Sequence, residues 1–156
     1  MSLTLQPMTP EQFASWNEKL IVSYAHDKVE AGAWPERGAV ERSRHDIGAD
    51  LPHGLDTPGH DLFVARSEGR DVGWLWLATD TTGPAPRAFI HDIEVVEGER
   101  GRGLGRALLE AAEAWCADHS IGVLKLHVFA HNEAAVGLYE SSGFETTDLS
   151  MAKQIR

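Results

Sequence analysis

An α/β fold with a mixed sheet is predicted for this 156-residue chain on three observations. Residues 90–96, 104–118 and 123–129 read as strand, amphipathic helix and strand, an order that implies a right-handed parallel crossover. Residues 61–66 alternate well enough for a strand, and after the turn at 67–71 the apolar stretch 72–77 forms the return strand, the pattern of an antiparallel hairpin. Between the strand and helix of the crossover stand three glycines at alternate positions, Gly101, Gly103 and Gly105, among Arg100, Arg102 and Arg106.

The remaining elements follow in order. Leu3 and Leu5 alternate with polar neighbours before Pro7, which suits a short first strand. Thr9-Pro10-Glu11-Gln12 is a helix start, with Thr9 as N-cap, Pro10 at the first helical position and Gln12 closing a capping box. Phe13, Trp16, Leu20 and Tyr24 recur at helical spacing as core residues, and Gly32 ends that helix. A second helix is expected over residues 35–50, stopped by Pro52, before a breaker-rich loop at 52–59. Trp74 and Trp76 share one face of the hairpin's return strand and are read as cover for a hydrophobic layer. In the crossover helix Leu104, Leu108, Ala111, Ala112 and Trp115 form the buried stripe. Asn132 is a helix N-cap, Gly143 ends that helix, and residues 144–152 are expected to form a last strand.

Composition limits the rest. The length suits one domain, with 42% hydrophobic and 24% charged residues and no repeat or low-complexity block. A net charge of −10 opposes binding to nucleic acid or an anionic membrane and mildly favours a cationic partner. Cys116, the sole cysteine, can form no intrachain disulfide and is expected to be a buried thiol. The first residues lack the basic and apolar regions of a secretion signal, and the longest apolar run, 72–78, is too short to span a bilayer, so a cytoplasmic protein is expected.

The glycine-rich turn carries chemistry. Glycines remove the β-carbons that would hold a ligand off the backbone, so consecutive N–H groups can converge on an anion at the opening of the next helix. Guanidinium donors and the helix dipole add to a seat for a diphosphate. A Walker loop fails because Gly103 is followed by Leu104 and no lysine. A dinucleotide fingerprint fails because Arg106 or Leu108 stands where its last glycine must be.

What remains, Arg100-x-x-Gly103-x-Gly105 between strand and helix, resembles the GNAT superfamily of acyl-CoA-dependent N-acetyltransferases. A second stretch, Leu126-His127-Val128-Phe129-Ala130-His131-Asn132 followed by Ala135, Leu138-Tyr139-Glu140 and Gly143-Phe144, resembles that family's other signature. Together they cover residues 90–144, while the first half fits only in its order of elements. The resemblance implies a mixed α/β sheet whose fourth and fifth strands splay to admit the pantetheine arm, and transfer of an acetyl group from acetyl-CoA to a primary amine of a small molecule or peptide. It also implies that Ile93, Glu94 and Val95 bond the pantetheine and acetyl carbonyl, that Arg100 and the loop Gly101, Arg102, Gly103, Leu104, Gly105 and Arg106 hold the pyrophosphate, and that Asn132 touches the cosubstrate. Tyr139 matches the tyrosine that protonates the departing thiolate in many relatives.

The base is left among three candidates. Glu94 and Asp92 share one face of the central strand, and His127 stands where some protein-acetylating relatives carry a glutamate. His60, His91 and His131 give no persuasive metal set, and the fold implied needs no metal. Dimers are common in the family. The rival reading is a non-catalytic acyl-CoA sensor or interaction module, which would need the loop but neither Tyr139 nor a base.

Overall fold

The computed structural model describes residues 2–156. Its regular elements run β1 (Thr4–Pro7), α1 (Pro10–Glu30), α2 (Ala39–Asp50), β2 (His60–Ser67), β3 (Arg70–Asp80), β4 (Arg87–Val95), α3 (Leu104–Asp118), β5 (Val123–Leu126) and α4 (Glu133–Ser141). The strands form one sheet in the order β1-β2-β3-β4-β5, antiparallel as far as β4, with β5 parallel to β4 across the α3 crossover.

Helix α1 starts where its sequence dictates. Gln12 N–H donates to the Thr9 hydroxyl at 3.2 Å, and Thr9 N–H donates to Gln12 Oε1 at 2.9 Å, so two donors of the helix start are satisfied reciprocally. The expected start of the second helix at residue 35 is displaced to Ala39. Trp34 is the reason: it tucks into a small cluster with Ala25 and Ala39, edge-on to Tyr24 at 5.6 Å, before the chain can turn into α2.

Strand alternation divides the core into two layers. Phe63, Ala65, Leu75, Leu77 and Ile90 point to one face and pack under Leu104, Leu108, Leu109 and Ala112 of α3. Leu62, Val64 and Trp76 point to the other and meet Trp16, Leu20 and Ile21 of α1 and Ile47 of α2. Trp76 is buried in that second layer and Trp74 packs against it, in line with their reading as hydrophobic cover. Cys116 is buried beside Ala88 and Ile121.

Two departures from the predicted elements bear on the site. The fifth strand was expected to reach Phe129 but ends at Leu126, where its ladder with β4 stops at the pair Ile90 and Leu126. The expected last strand at 144–152 is not formed: residues 145–156 are neither helix nor strand and are exposed throughout. Among the described residues, no helix is long and apolar enough to cross a membrane.

Candidate active site

Two local features of β4 open the sheet. Opposite β3, Trp76 pairs with Asp92 but Leu77 pairs with Ile90, so His91 is an additional residue, a β-bulge. The bulge lets His91 stack on Trp76, ring centroids 4.4 Å apart, while Asp92 still turns toward α1. Beyond Ile90 no strand accompanies β4 on its β5 side, and the backbone from Ile93 to Val95 borders a cavity instead. This cavity, of about 230 Å³, is lined by Ile93, Glu94, Val95, Arg100 and Gly105, and by Leu138 and Tyr139 of α4. The splay implied by the resemblance is therefore present in the fold.

On the other edge of β4 the fit is close enough to dictate sequence. A β-carbon on Gly73 of β3 would lie 2.5 Å from the carbonyl oxygen of Glu94 and 3.3 Å from Leu108 Cδ2. Only glycine lets β3 press the Glu94 backbone into place, a constraint that an isolated glycine inside a strand pattern can signal.

The carboxylates sit on the α1 face. Trp16 is 2% exposed, and its indole Nε1–H donates to Asp92 Oδ2 at 2.9 Å. Burial, and next the charge of Glu94, push the Asp92 carboxyl up to about 8, against the opposing pull of the Trp16 bond. Glu94 is also raised by burial, with Arg100 pulling it down and Asp27 of α1 pushing it up. The two side chains share a hydrogen bond in which protonated Asp92 donates to the Glu94 carboxylate. Burial and the nearby Asp92 charge raise the Tyr139 phenol, which stays protonated at neutral pH.

At the far end of the cavity, Gly103 caps α3 with φ of +77°, and Gly101 has φ of +80°. No side chain caps this helix, and a β-carbon on either glycine would meet nothing within 4 Å. The first turn of α3 thus begins without a capping side chain, at the positive end of the helix dipole, the chemistry an anionic diphosphate requires. The residues present fit such a group.

The arginines are not equally placed. Arg100 lines the cavity, its Nε–H donating to the Val95 carbonyl at 3.1 Å. Arg102 reaches Glu99 at 3.3 Å, and Glu99 also takes Arg70 at 3.0 Å. Arg106 turns away and donates to Ser141 Oγ at 2.7 Å, the Ser141 carbonyl at 3.3 Å and Ser142 Oγ at 3.2 Å, tying α3 to the end of α4. The Asn132 side chain accepts from Ala135 N–H at 3.2 Å as the cap of α4.

The structure brings Asp92, Glu94 and Tyr139 together around the splay. His127 lies past the end of β5, exposed, with its ring edge-on to Phe129 at 5.1 Å. Trp16 joins the site although its spacing in the sequence marks it only as core. The signal available was chemical, because a buried indole N–H must find an acceptor. Among the described residues no group of three or more His, Cys, Asp or Glu side chains is placed to hold a metal ion.

A single sheet between two helical layers, whose parallel strands part beside an uncapped, glycine-opened helix start, defines the class as an acetyltransferase fold. The chain belongs to the acetyltransferase (GNAT) family, whose model matches residues 21–144. Over 99% of its length it is 38% identical to the whole of the uncharacterized N-acetyltransferase YycN of Bacillus subtilis (strain 168), and 34% identical to YdgE of the same organism, with 99% of each chain covered. The crystal structure of YycN superposes with a TM-score of 0.95, covering 99% of both chains. AAC(6')-Iy, solved in complex with the bisubstrate analogue CoA-S-monomethyl-acetylneamine, shares the fold with a TM-score of 0.64 at 16% identity, covering 100% of this chain and 99% of that one.

Proposed function

We propose that the protein transfers the acetyl group of acetyl-CoA to the primary amine of a cationic small molecule or peptide. The observation that carries this reading is the meeting of Glu94, proton-bearing Asp92 and Tyr139 at a splay that leads to the open N-terminus of α3. Leu104, Gly105 and Arg106 would offer backbone N–H groups to the pyrophosphate, with Gly101 and Gly103 clearing its approach and Arg100 and Arg102 supplying positive charge. The edge of β4 at Ile93, Glu94 and Val95 would offer backbone groups to the pantetheine arm.

The chemistry divides between two residues. Glu94 accepts the proton of the amine as its nitrogen bonds to the thioester carbon, and its raised pKa makes it a better base than an ordinary carboxylate. Asp92 holds its own proton, donates it in a hydrogen bond to Glu94 and avoids a second negative charge beside the base. As the carbon–sulfur bond breaks, Tyr139 gives its hydroxyl proton to the departing thiolate. Asn132 acts through its cap, fixing the first turn of the helix that carries Tyr139. Buried, unpaired Cys116 accords with a cytoplasmic setting.

The acceptor class rests on charge. Asp27 of α1 is close enough to raise both Asp92 and Glu94, so the α1 side of the site is acidic in a chain of net charge −10. The test is thiol release from acetyl-CoA with a panel of cationic, neutral and anionic amines at low and high salt. Steady release with cationic amines, weakening as salt screens the site, is expected. Binding of acetyl-CoA without turnover on any amine would make the protein an acyl-CoA sensor, and best turnover on an anionic amine would refute the acceptor class.

A further inference from the structure

Trp16 occupies a place in the core that calls for an aromatic ring but not for an indole. It belongs to a buried cluster with Met8, Leu20, Ile21, Ile47 and Trp76, all of them apolar. A phenylalanine would serve as cover for such a layer. An indole brings in addition an N–H that must find an acceptor once it leaves water. The acceptor it finds is a side chain of the candidate site, Asp92 Oδ2, at 2.9 Å.

The two partners of this bond differ in freedom. The indole is held: Phe13 leans on it at 5.9 Å, and Trp76 meets it edge-on at 5.6 Å. Trp76 is fixed in turn, donating its own N–H to His60 Nδ1 at 2.9 Å and stacking on His91. Buried Ser43 of α2 donates to the Ile21 carbonyl at 2.7 Å and pins α1 in place. The Asp92 carboxyl has no such restraint of its own, because the last torsion of an aspartate is broad and two-fold, and either oxygen can be turned toward Glu94. The indole removes that choice. Its N–H settles on the unprotonated oxygen, the better acceptor of a carboxylic acid, and leaves the O–H for Glu94.

We propose that Trp16 is a positioning residue for acetyl transfer: its indole N–H holds the bare oxygen of Asp92, so that the acid proton points at Glu94 and Glu94 remains the base of the pair. The inference rests on the acetyl-transfer reading with Glu94 as base. Without the bond the Asp92 carboxyl can turn over and set its bare oxygen against the Glu94 carboxylate. That repulsion is relieved by moving the proton onto Glu94, where it occupies the base. Other groups facing the pair do not replace the indole. Asp92 meets Trp76 from β3, Asp27 of α1 and the Tyr139 phenol of α4, and Glu94 meets Lys19 and Asp27 of α1 and Arg100. Among the described side chains, Trp16 is the neutral donor that bonds Asp92.

The experiment removes the N–H and keeps the ring. Benzothienylalanine incorporated at position 16 of the full chain has sulfur in place of the indole N–H and nearly the same shape, and Trp16→Phe is the simpler companion. Both should lower kcat by about tenfold, the worth of one buried hydrogen bond, with the KM for acetyl-CoA unchanged. A second readout is independent of turnover: the Asp92 carboxyl carbon followed by NMR across pH. Its midpoint, about 8 in the wild type, should rise in both chains, because the lost bond had favoured the anion. Loosened packing alone would admit water and move it down. Wild-type kcat in the benzothienylalanine chain, or an Asp92 midpoint there that stays or falls, would overturn the role of Trp16. Absence of acetyl transfer by the wild type on any amine would overturn the functional reading itself, and the role with it.

Discussion

Replacing Asp92 by Asn separates the charge of the site from its shape. The amide keeps an acceptor for the Trp16 indole and a donor for Glu94, so the hydrogen bonds survive while ionisation is abolished. An aspartate titrates near 4 in the unfolded chain and at about 8 in the fold, because burial and the Glu94 charge disfavour its anion. The folded state therefore binds the proton more tightly, and the stability tied to it is complete below pH ~4 and is lost as the pH rises through about 8. Within that window each pH unit costs up to about 1.4 kcal/mol, or roughly 2–3 kcal/mol between pH 6 and 8. At about 2–4 °C per kcal/mol for a chain of this size, the wild-type Tm should fall by roughly 5–10 °C more than that of Asp92→Asn over this interval. Differential scanning calorimetry across pH 5–9 reads the effect, and acetyl transfer near neutrality should be largely retained because Asn mimics the protonated acid. Parallel Tm curves for the two proteins would show that Asp92 ionises normally and would remove the proton-sharing pair.

Three further outcomes are expected. Tyr139→Phe removes one hydroxyl and should lower kcat by about 10²–10⁴ with little change in acetyl-CoA affinity by calorimetry, the pattern of a proton given only in the transition state; wild-type turnover would make Tyr139 a packing residue. Glu94→Gln should abolish the acidic limb of the pH–rate profile, whereas His127→Asn should leave it in place, and the reverse result would move the base to His127. Gly73→Ala must displace the Glu94 carbonyl from 2.5 Å and should cost about 1–3 kcal/mol in denaturant unfolding as an overpacked contact, with turnover reduced in the chains that remain folded; unchanged stability would mean that β3 and β4 part without strain.

How much of this was legible in the sequence follows the range of each interaction. The start of α1 was, because its capping box joins residues three apart, and so were the hairpin and the glycine turn, whose signals are equally local. Asp92 and Glu94 fell on one face by strand periodicity alone. The Trp16 bond to Asp92 spans 76 positions, and nothing local marks it. Arg106 read as a phosphate ligand from its position in the turn, but its partners at Ser141 and Ser142 exist only once α3 and α4 pack. The short β5 and the unformed last strand have one cause in common: a strand pattern specifies a face, while the ladder that makes it a strand depends on a partner elsewhere.

The account rests on acyl transfer at the β4–β5 splay, and product analysis with trideuterated acetyl-CoA tests it most directly. Wild-type protein with a cationic amine should yield the trideuteroacetyl amide and free coenzyme A in equal amounts by mass spectrometry. Gly103→Asn, whose side chain tolerates the left-handed backbone but projects into the space above the α3 N-terminus, should remain folded and yield neither at the same concentrations. Equal product from Gly103→Asn, or coenzyme A released with no amide formed, would contradict the account.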